Sequence, residues 1–484
     1  MPSPPNDALI VLDIGKTNVK LALVDAAGRL LAEARRPNAI LHDGPYPHHD
    51  TDGIWTWMLA TCRSFAGQAR VTAIVPVTHG ATAALVDDAG LVLPVLDYEA
   101  DLPGLDYATL RPPFAQTYSP PLPVGLNLGR QLAWLQHRHP AQFARARQIL
   151  MYPQYWAWRL CGVAAGEATS LGCHTDLWDP LRQDYSALVP RMGWQAQLPP
   201  LAPPWATLGM LRADVASATG LSPACEVLCG IHDSNASLVR YLGPAAAATP
   251  RTVLSTGTWV IAAAFGAGLD GLVEGADMLA NTNALGQPVA CMRFMGGREF
   301  SLLAGAHPVT CSWGELERLV ARGTLALPGF ADGGPFAGRA GRVDGPAAAD
   351  ASERFALATL YCVLMTDYCL DALGALGDIT VEGSFTANPW FGPLLASLRP
   401  QAVAYSDDAS GTTCGGWLLR YRDATPLGAG QPMPARAPDG FNAYRAAWRA
   451  ALSRSSQPTA TKHAPVATAV RPRSGLGLGD QTAP

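Results

Sequence analysis

The sequence predicts a two-domain α/β protein, on three observations. A Gly/Thr-rich turn, Asp13-Ile14-Gly15-Lys16-Thr17-Asn18, follows the apolar run Ala8 to Leu12, and a second, Ser255-Thr256-Gly257-Thr258, follows Thr252 to Leu254. Each turn leads into another apolar run, Val19 to Val24 and Trp259 to Ala264, so each half of the chain carries one β-hairpin. A chain of 484 residues also exceeds one ordinary core, and two domains of about 200 residues each follow from that length. Glycine in such turns lets backbone N–H groups approach a ligand closely, and the Ser and Thr hydroxyls add donors. Two hairpins so built suit an anionic polyphosphate held between two lobes.

The elements follow in order. Gly28-Arg29 and the run Leu30 to Ala34 extend the first hairpin into an antiparallel meander. Tyr46-Pro47 and Gly53 frame His48-His49-Asp50-Thr51-Asp52 as a solvated loop, a sugar-contacting or loop-structuring one or, least favoured, a metal site, leading into a helix over Ile54 to Ala60. Val71 to Val77 reads as a buried strand entering Thr78-His79-Gly80, and Ala83 to Gly90 as a further hairpin. The Pro/Asp-rich stretch Asp97 to Pro123 is loop, Asn127 to His139 is a helix ended by Pro140, and Tyr155 to Leu160 is another. Seven prolines from Pro180 to Pro223 mark a loop-rich segment. In the second half a long apolar helix, Ala351 to Leu376, is closed by Gly377 and followed by the strand Ile379 to Val381, which runs into Glu382-Gly383-Ser384. From about Ser453 the composition turns to Ser, Thr, Pro and Ala, as in a disordered tail over 451–484. Gly475-Leu476-Gly477-Leu478-Gly479 lies in it without the flanking strand and helix that give a dinucleotide loop meaning.

Composition narrows the function. Hydrophobic residues make up 49% and charged residues 15%, as in a globular protein, and a net charge of −4 offers no broad basic surface for nucleic acid or anionic membrane. The N-terminus lacks the pattern of a secretory signal and no uninterrupted apolar run reaches about 18 residues, which points to a cytoplasmic location. The ten Cys residues are scattered, without a C-x-x-C pair, and read as reduced core thiols.

The chemistry-bearing residues cluster at the ends of apolar runs. Gly230-Ile231-His232-Asp233-Ser234-Asn235 precedes the helix-like run Ala236 to Leu242. Asp233 or Ser234 is either the N-cap of that helix or, for Asp233, a general base facing a substrate hydroxyl. A carboxylate beside bound polyphosphate requires an intervening cation, so Asp13 either binds Mg²⁺, mainly through water, or merely folds its turn. Lys16 adds positive charge near the phosphates, whereas Lys20 reads as a rim residue. His79 either donates to a sugar hydroxyl or is a satisfied core histidine. The Gly383-Ser384 loop with Asn388-Pro389-Trp390 suits a flat nucleoside or an ordinary capped helix entry.

This ordered set, with Tyr152-Pro153-Gln154-Tyr155 and Gly166-Glu167-Ala168-Thr169-Ser170, resembles the FGGY family of carbohydrate kinases over nearly the whole chain up to about residue 450. The resemblance implies an actin-like ATPase fold, hexokinase-type and ribonuclease H-like. It divides the chain into a sugar-binding domain over 1–245 and a nucleotide-binding domain over 246–450, with a cleft between. It implies ATP and Mg²⁺ as cofactors, Asp233 as base, Asp13 as the Mg²⁺ residue, and His79, Asp97, His232 and Asp233 toward the sugar. It sets Gly15, Lys16, Thr17 and Asn18, Ser255, Thr256, Gly257 and Thr258, and Gly383, Ser384 and Asn388 toward the nucleotide. Two departures stand out: Glu382-Gly383 replaces a run of glycines, and Leu96-Asp97-Tyr98-Glu99 replaces a Trp-x-Asp-x-Arg element. His232-Asp233 is most similar to the rhamnulose-kinase branch, which implies phosphorylation of a primary hydroxyl of a deoxyketohexose such as L-rhamnulose or L-fuculose. A pentulose or glycerol is the alternative substrate, and a non-catalytic nucleotide-dependent sensor the alternative class. Sugar and ATP are the expected partners, with a homodimer allowed for.

Overall fold

The computed structural model describes residues 7–242, 249–305, 309–406, 411–424 and 430–454; of the tail expected over 451–484, residues 451–454 instead belong to the helix Phe441–Arg454, where Ala451 and Leu452 are buried, and the rest lies outside the described residues. In the first half, strands β1 (Asp7–Ile14), β2 (Asn18–Asp25) and β3 (Leu30–Pro37) form the expected meander. Helix α1 (Thr51–Ala66) starts earlier than its apolar spacing suggested because Asp50 caps it, accepting from Gly53 N. Strand β4 (Arg70–Thr78) then pairs parallel with β1, and β5 (Thr207–Met210) and β6 (Glu226–Leu228) complete the order β5-β6-β4-β1-β2-β3. Helix α2 (Tyr152–Cys161) begins at Tyr152, with Pro153 in its first turn where a missing N–H costs nothing. The proline-rich segment is not all loop, since it supplies β5 and the helix Ala213–Thr219.

One irregularity in this sheet sets up the site. Pro76 lies inside the central strand β4, and its carbonyl sits against Gly230, where a Cβ would overlap it. Proline has no N–H to donate, and pairing with β4 lapses at Cys229 and Gly230. It resumes at Ile231 and His232, opposite Val77 and Thr78. Gly230 takes a φ of +83°, which glycine adopts without strain. The resumed pairing delivers helix α3 (Asp233–Leu238) to the end of the sheet.

The second half repeats the plan. Strands β7 (Arg251–Thr256) and β8 (Val260–Phe265) form the second hairpin, and β9 (Met278–Thr282) and β10 (Pro288–Phe294) extend it. After helices α4 (Gly296–Ala304) and α5 (Ala351–Ala372) come β11 (Asp378–Gly383) and β12 (Val403–Tyr405), giving the order β9-β10-β8-β7-β11-β12. Helix α5 is long and apolar enough to cross a bilayer, yet 83% of its most apolar window is buried in the core of this half. It ends at Ala372, before the expected Leu376, where Gly374 turns left-handed at φ +59°.

The two halves interlock. Helix α6 (Gly411–Arg420), late in the chain, packs on the first sheet: Trp417, Leu418 and Leu419 join Leu9, Val11 and Val77 in one apolar cluster. Two glycines permit this approach; a Cβ at Gly415 would overlap the Ala236 carbonyl of α3, and one at Gly416 would lie 2.8 Å from Val11. The segment expected as one unit over 246–450 therefore returns a helix to the N-terminal half, and α7 (Phe441–Arg454) rejoins the second core.

Candidate active site

Asp233 opens α3, and its side chain does not cap the helix. Oδ1 accepts from Ser234 N at 2.6 Å and Ser234 Oγ at 3.3 Å, and lies 3.2 Å from His232 Nε2. Oδ2 has no partner among the described residues. Burial, and then the charge of Asp13, push the Asp233 pKa up to about 7. The side chain is 27% exposed and lines a cavity of about 340 Å³ between the two halves, together with Ser255, Ile261 and Thr412.

The orientation of His232 follows from its partners. Burial holds this imidazole neutral, with a pKa of about 3. The Asn235 amide nitrogen lies 3.2 Å from His232 Nδ1 and 3.2 Å from Asn281 Oδ1. An amide N–H donates, so Nδ1 accepts and the ring proton sits on Nε2, facing Asp233. Beneath it, His232 N donates to Thr169 Oγ1 at 3.2 Å, and that hydroxyl donates at 2.6 Å to Glu167, which is fully buried. Gly80 must lack a side chain here, since a Cβ would stand 2.7 Å from His232 Nε2.

The first hairpin turn is closed by Gly15 N donating to Asn18 O at 2.9 Å and is anchored by Asn38 Nδ2 on Gly15 O at 2.8 Å, leaving Thr17 and Asn18 exposed at its tip. Asp13, just before it, accepts from Thr412 Oγ1 at 2.6 Å and lies 3.1 Å from Lys20 Nζ. Lys20 is thus no rim residue: it is only 17% exposed and stands opposite Asp13 in the hairpin ladder. Lys16 is also placed otherwise than expected, paired with Asp97 and Glu99 and over the Tyr98 ring at 4.6 Å, so its charge goes to the Asp97 loop.

That loop adjoins a histidine cluster. His79 N donates to Ile14 O at 2.9 Å, continuing the β1–β4 pairing. The His79 ring packs on Tyr98 and Tyr152 and lies 5.0 Å from the His49 ring. His48 and His49 are buried rather than in a solvated loop. Burial lowers His79 to about 4, and its Nε2 is a buried atom without a partner. Among the described residues no group of three or more His, Cys, Asp and Glu could hold a metal ion.

The second hairpin exposes Ser255 and Thr258 and closes with Gly257 N on Trp259 O at 2.9 Å. Thr256 points the other way and is buried. Its hydroxyl donates to the Glu382 carbonyl and accepts from Phe385 N at 3.0 Å, tying the hairpin to the Gly383 loop. Its side chain is therefore a structural tie rather than a ligand donor. Gly383 takes φ +83°, and a Cβ there would overlap the Thr256 carbonyl oxygen. Ser384 is exposed beside it and donates to Thr256 O at 3.3 Å. Asn388 departs from the expectation too: buried, it donates to Thr359 Oγ1 at 2.9 Å and accepts from Trp390 N at 3.1 Å. Glu382, where glycine was expected, is bound by Tyr241 and by Arg240 Nη2 at 2.7 Å.

Sequence reasoning missed Thr412, His174 and Arg293, which line the cavity. Each sits in a segment with no local motif, and Arg293 reads as one residue of an apolar strand.

The description "FGGY family of carbohydrate kinases, N-terminal domain" matches residues 125–240, and "Carbohydrate kinase FGGY, C-terminal domain" matches residues 248–427. A carbohydrate kinase from Novosphingobium aromaticivorans, known by crystal structure, is 38% identical, with 94% of this chain and 100% of that chain covered at a TM-score of 0.87. A xylulose kinase from Rhodospirillum rubrum shares the fold at 17% identity, 92% and 98% coverage and a TM-score of 0.73. An L-fuculokinase of Salmonella typhi is 29% identical over 268 residues, 53% of this chain and 56% of the relative, so the chain spans just over half the length of that curated relative. With both halves matched and one relative similar along its whole length, this chain belongs to the FGGY family of carbohydrate kinases and has its two-domain, actin-like fold.

Proposed function

We infer that the protein is an ATP-dependent kinase of a ketose, transferring the γ-phosphoryl group to a primary hydroxyl. The observation that carries this reading is the Asp233 carboxylate in the cleft, with Oδ1 held by donors and Oδ2 open. Asp233 Oδ2 takes the hydroxyl proton as the sugar oxygen attacks in line. The exposed turn residues Thr17, Asn18, Ser255 and Thr258, with the N–H groups of their turns, face the triphosphate from the two lobes. Positioning and charge neutralisation supply most of the catalysis in such a transfer.

The donor set fits Mg²⁺ held through water. Asp13 offers one carboxylate whose Oδ2 is occupied by Thr412 and Lys20, and no cage of acidic side chains surrounds it among the described residues. Bound there with the nucleotide, the ion would neutralise charge on the β- and γ-phosphates. Lys20 holds Asp13 oriented toward that position. Gly383 and Ser384, exposed at the end of β11, form the edge toward the nucleoside, while Thr256 and Asn388 brace it.

The relatives that resemble this chain include kinases of L-fuculose and xylulose. Together with the His232-Asp233 pair, the L-fuculokinase likeness favours a deoxyketohexose such as L-fuculose or L-rhamnulose; a pentulose is the second reading, favoured by the whole-chain likeness to the xylulose kinase. An ADP-release assay over L-fuculose, L-rhamnulose, D-xylulose, L-ribulose and glycerol tests both. Sugar-dependent ADP release that Asp233→Asn abolishes supports the reading; ATP turnover indifferent to every sugar and to Asp233 would replace it with a nucleotide-dependent sensor.

A further inference from the structure

The cavity beside Asp233 has a wall from the C-terminal half to which the transfer step assigns no role. Arg293, on β10, is anchored through Nε to Asp277 Oδ1 at 2.9 Å and lies over the Trp259 ring, 4.6 Å from its centroid. Trp259 is the residue whose carbonyl closes the second hairpin turn. The terminal nitrogens of Arg293 have no partner among the described residues, and the side chain keeps 17% exposure where it lines the cavity. An arginine fixed at Nε and stacked on an indole presents a preorganised fork of donors.

His174 lines the same cavity from the N-terminal half, and Arg293 is close enough to influence its titration. Its Nδ1 lies 2.8 Å from the Leu126 carbonyl, which only accepts, so the ring proton is on Nδ1. Burial keeps the ring neutral, with a pKa of about 4, and Nε2 is left as an acceptor. His174 sits at φ +45° in the strained left-handed region, in which a non-glycine residue persists only when its surroundings enforce it. Asn281, on β9, uses Oδ1 to accept from Asn235 and from Thr282 N, and its amide nitrogen remains a donor at the cavity.

The geometry points to Arg293, His174 and Asn281 as specificity-determining residues that select a neutral polyhydroxylated sugar over a sugar acid. Hydroxyl oxygens accept from Arg293 and Asn281, while one hydroxyl proton is donated to His174 Nε2. A carboxylate would satisfy the arginine but would turn its lone pairs on His174 Nε2 and share the cavity with Asp233. Asp277 already balances the arginine's charge. This assignment rests on the kinase reading above and adds the chemistry of its acceptor.

The test uses the full chain, with calorimetric binding and steady-state kinetics for L-rhamnulose, D-xylulose and D-gluconate. The variants are Arg293→Met, Arg293→Lys and His174→Asn, the last because asparagine tolerates the left-handed backbone. Wild type is expected to bind a neutral ketose and to ignore D-gluconate. Arg293→Met and His174→Asn raise Kd and KM for that ketose by about 10- to 100-fold, the range for a hydrogen bond to a charged or buried group. The KM for ATP stays unchanged, and Arg293→Lys falls between. Preference for D-gluconate, an unchanged sugar KM, a rise confined to the ATP KM, or no ketose binding at all would overturn the assignment. Arg293-dependent binding of ketose without ADP release would retain it and remove the kinase reading; sugar-dependent ADP release indifferent to both residues would do the reverse. If Arg293→Met fails to fold by thermal unfolding, the other two variants decide.

Discussion

The two halves of the molecule are built on one scaffold and equipped differently. In each, a hairpin strand pairs parallel with the strand whose end carries a loop to the cleft: Ile14 faces Thr78 in the first half, and Thr256 faces Gly383 in the second. By that register Asp13 corresponds to Ser255, and His79 to Ser384. The N-terminal half places carboxylates and imidazoles at these ends; the C-terminal half places hydroxyls and bare backbone. A long insertion between β4 and β6 of the first sheet supplies Glu167, His174 and Tyr152, whereas β11 and β12 of the second are joined over 384–402 by a short turn and the helix Phe391–Leu398. The same β-topology thus presents titratable side chains on one side and a surface of hydrogen-bond donors on the other, the division that the proposed phosphoryl transfer needs.

The sharpest way to break this division is to remove the proposed base. Asp233→Asn is expected to lower kcat by about 10²- to 10⁴-fold with the fold intact, whereas Ser234→Ala, which removes one donor to Oδ1, lowers it far less; rapid-quench or coupled kinetics read both. Next in size is the joint between halves. Glu382→Ala takes the carboxylate from the buried Arg240 and should cost about 3 kcal/mol in denaturant unfolding, contrasting with a surface glutamate such as Glu33. Third comes the glycine at each loop. Gly383→Ala forces a side chain onto the Thr256 carbonyl at positive φ and should cost about 2 kcal/mol or more while raising the KM for ATP. Gly15→Ala meets Asn18 O at 3.3 Å with an ordinary backbone angle and should cost less than about 1 kcal/mol.

The pH dependence separates the halves as well. Asp233 titrates near 7 in the folded protein against a usual 3.8, so kcat/KM should rise about tenfold per pH unit below 7 and level off above it. The linked stability has the opposite sign. Between 3.8 and 7 the folded state holds a proton that the unfolded state has lost, so the carboxyl is neutral for stability below 3.8 and destabilising in full above 7. Asp233→Asn should therefore stabilise the protein by about 1–3 kcal/mol at pH 8 and by almost nothing at pH 3.5; thermal unfolding at the two pH values checks it.

Much of this was legible in the chain. Both hairpins, the meander, the strand into His79 and the helix after Asp233 follow from short apolar runs broken by Gly, Thr and Asp, signals that act over a few residues. Asp233, His79 and the two turns were readable because they stand at the ends of such runs. What was misread shares another property. Lys16, Thr256 and Asn388 each have a type suited to the site, and each is committed to a partner far away in sequence: Asp97, Phe385 and Thr359. His174 and Arg293 carried no local signal at all, since one lies in a strained loop and the other in a strand facing the cleft.

The sequence by itself determined the two-hairpin α/β plan and the identity of the acid at its cleft, because hydrophobic period and turn chemistry are local. Only the tertiary structure decided which polar side chains remain open to a ligand and which are used up in holding the halves together. Hydrogen bonds and ion pairs in a buried site are satisfied by whatever the fold brings near, and helix α6 crossing from one half to the other shows that nearness is a property of the packed chain.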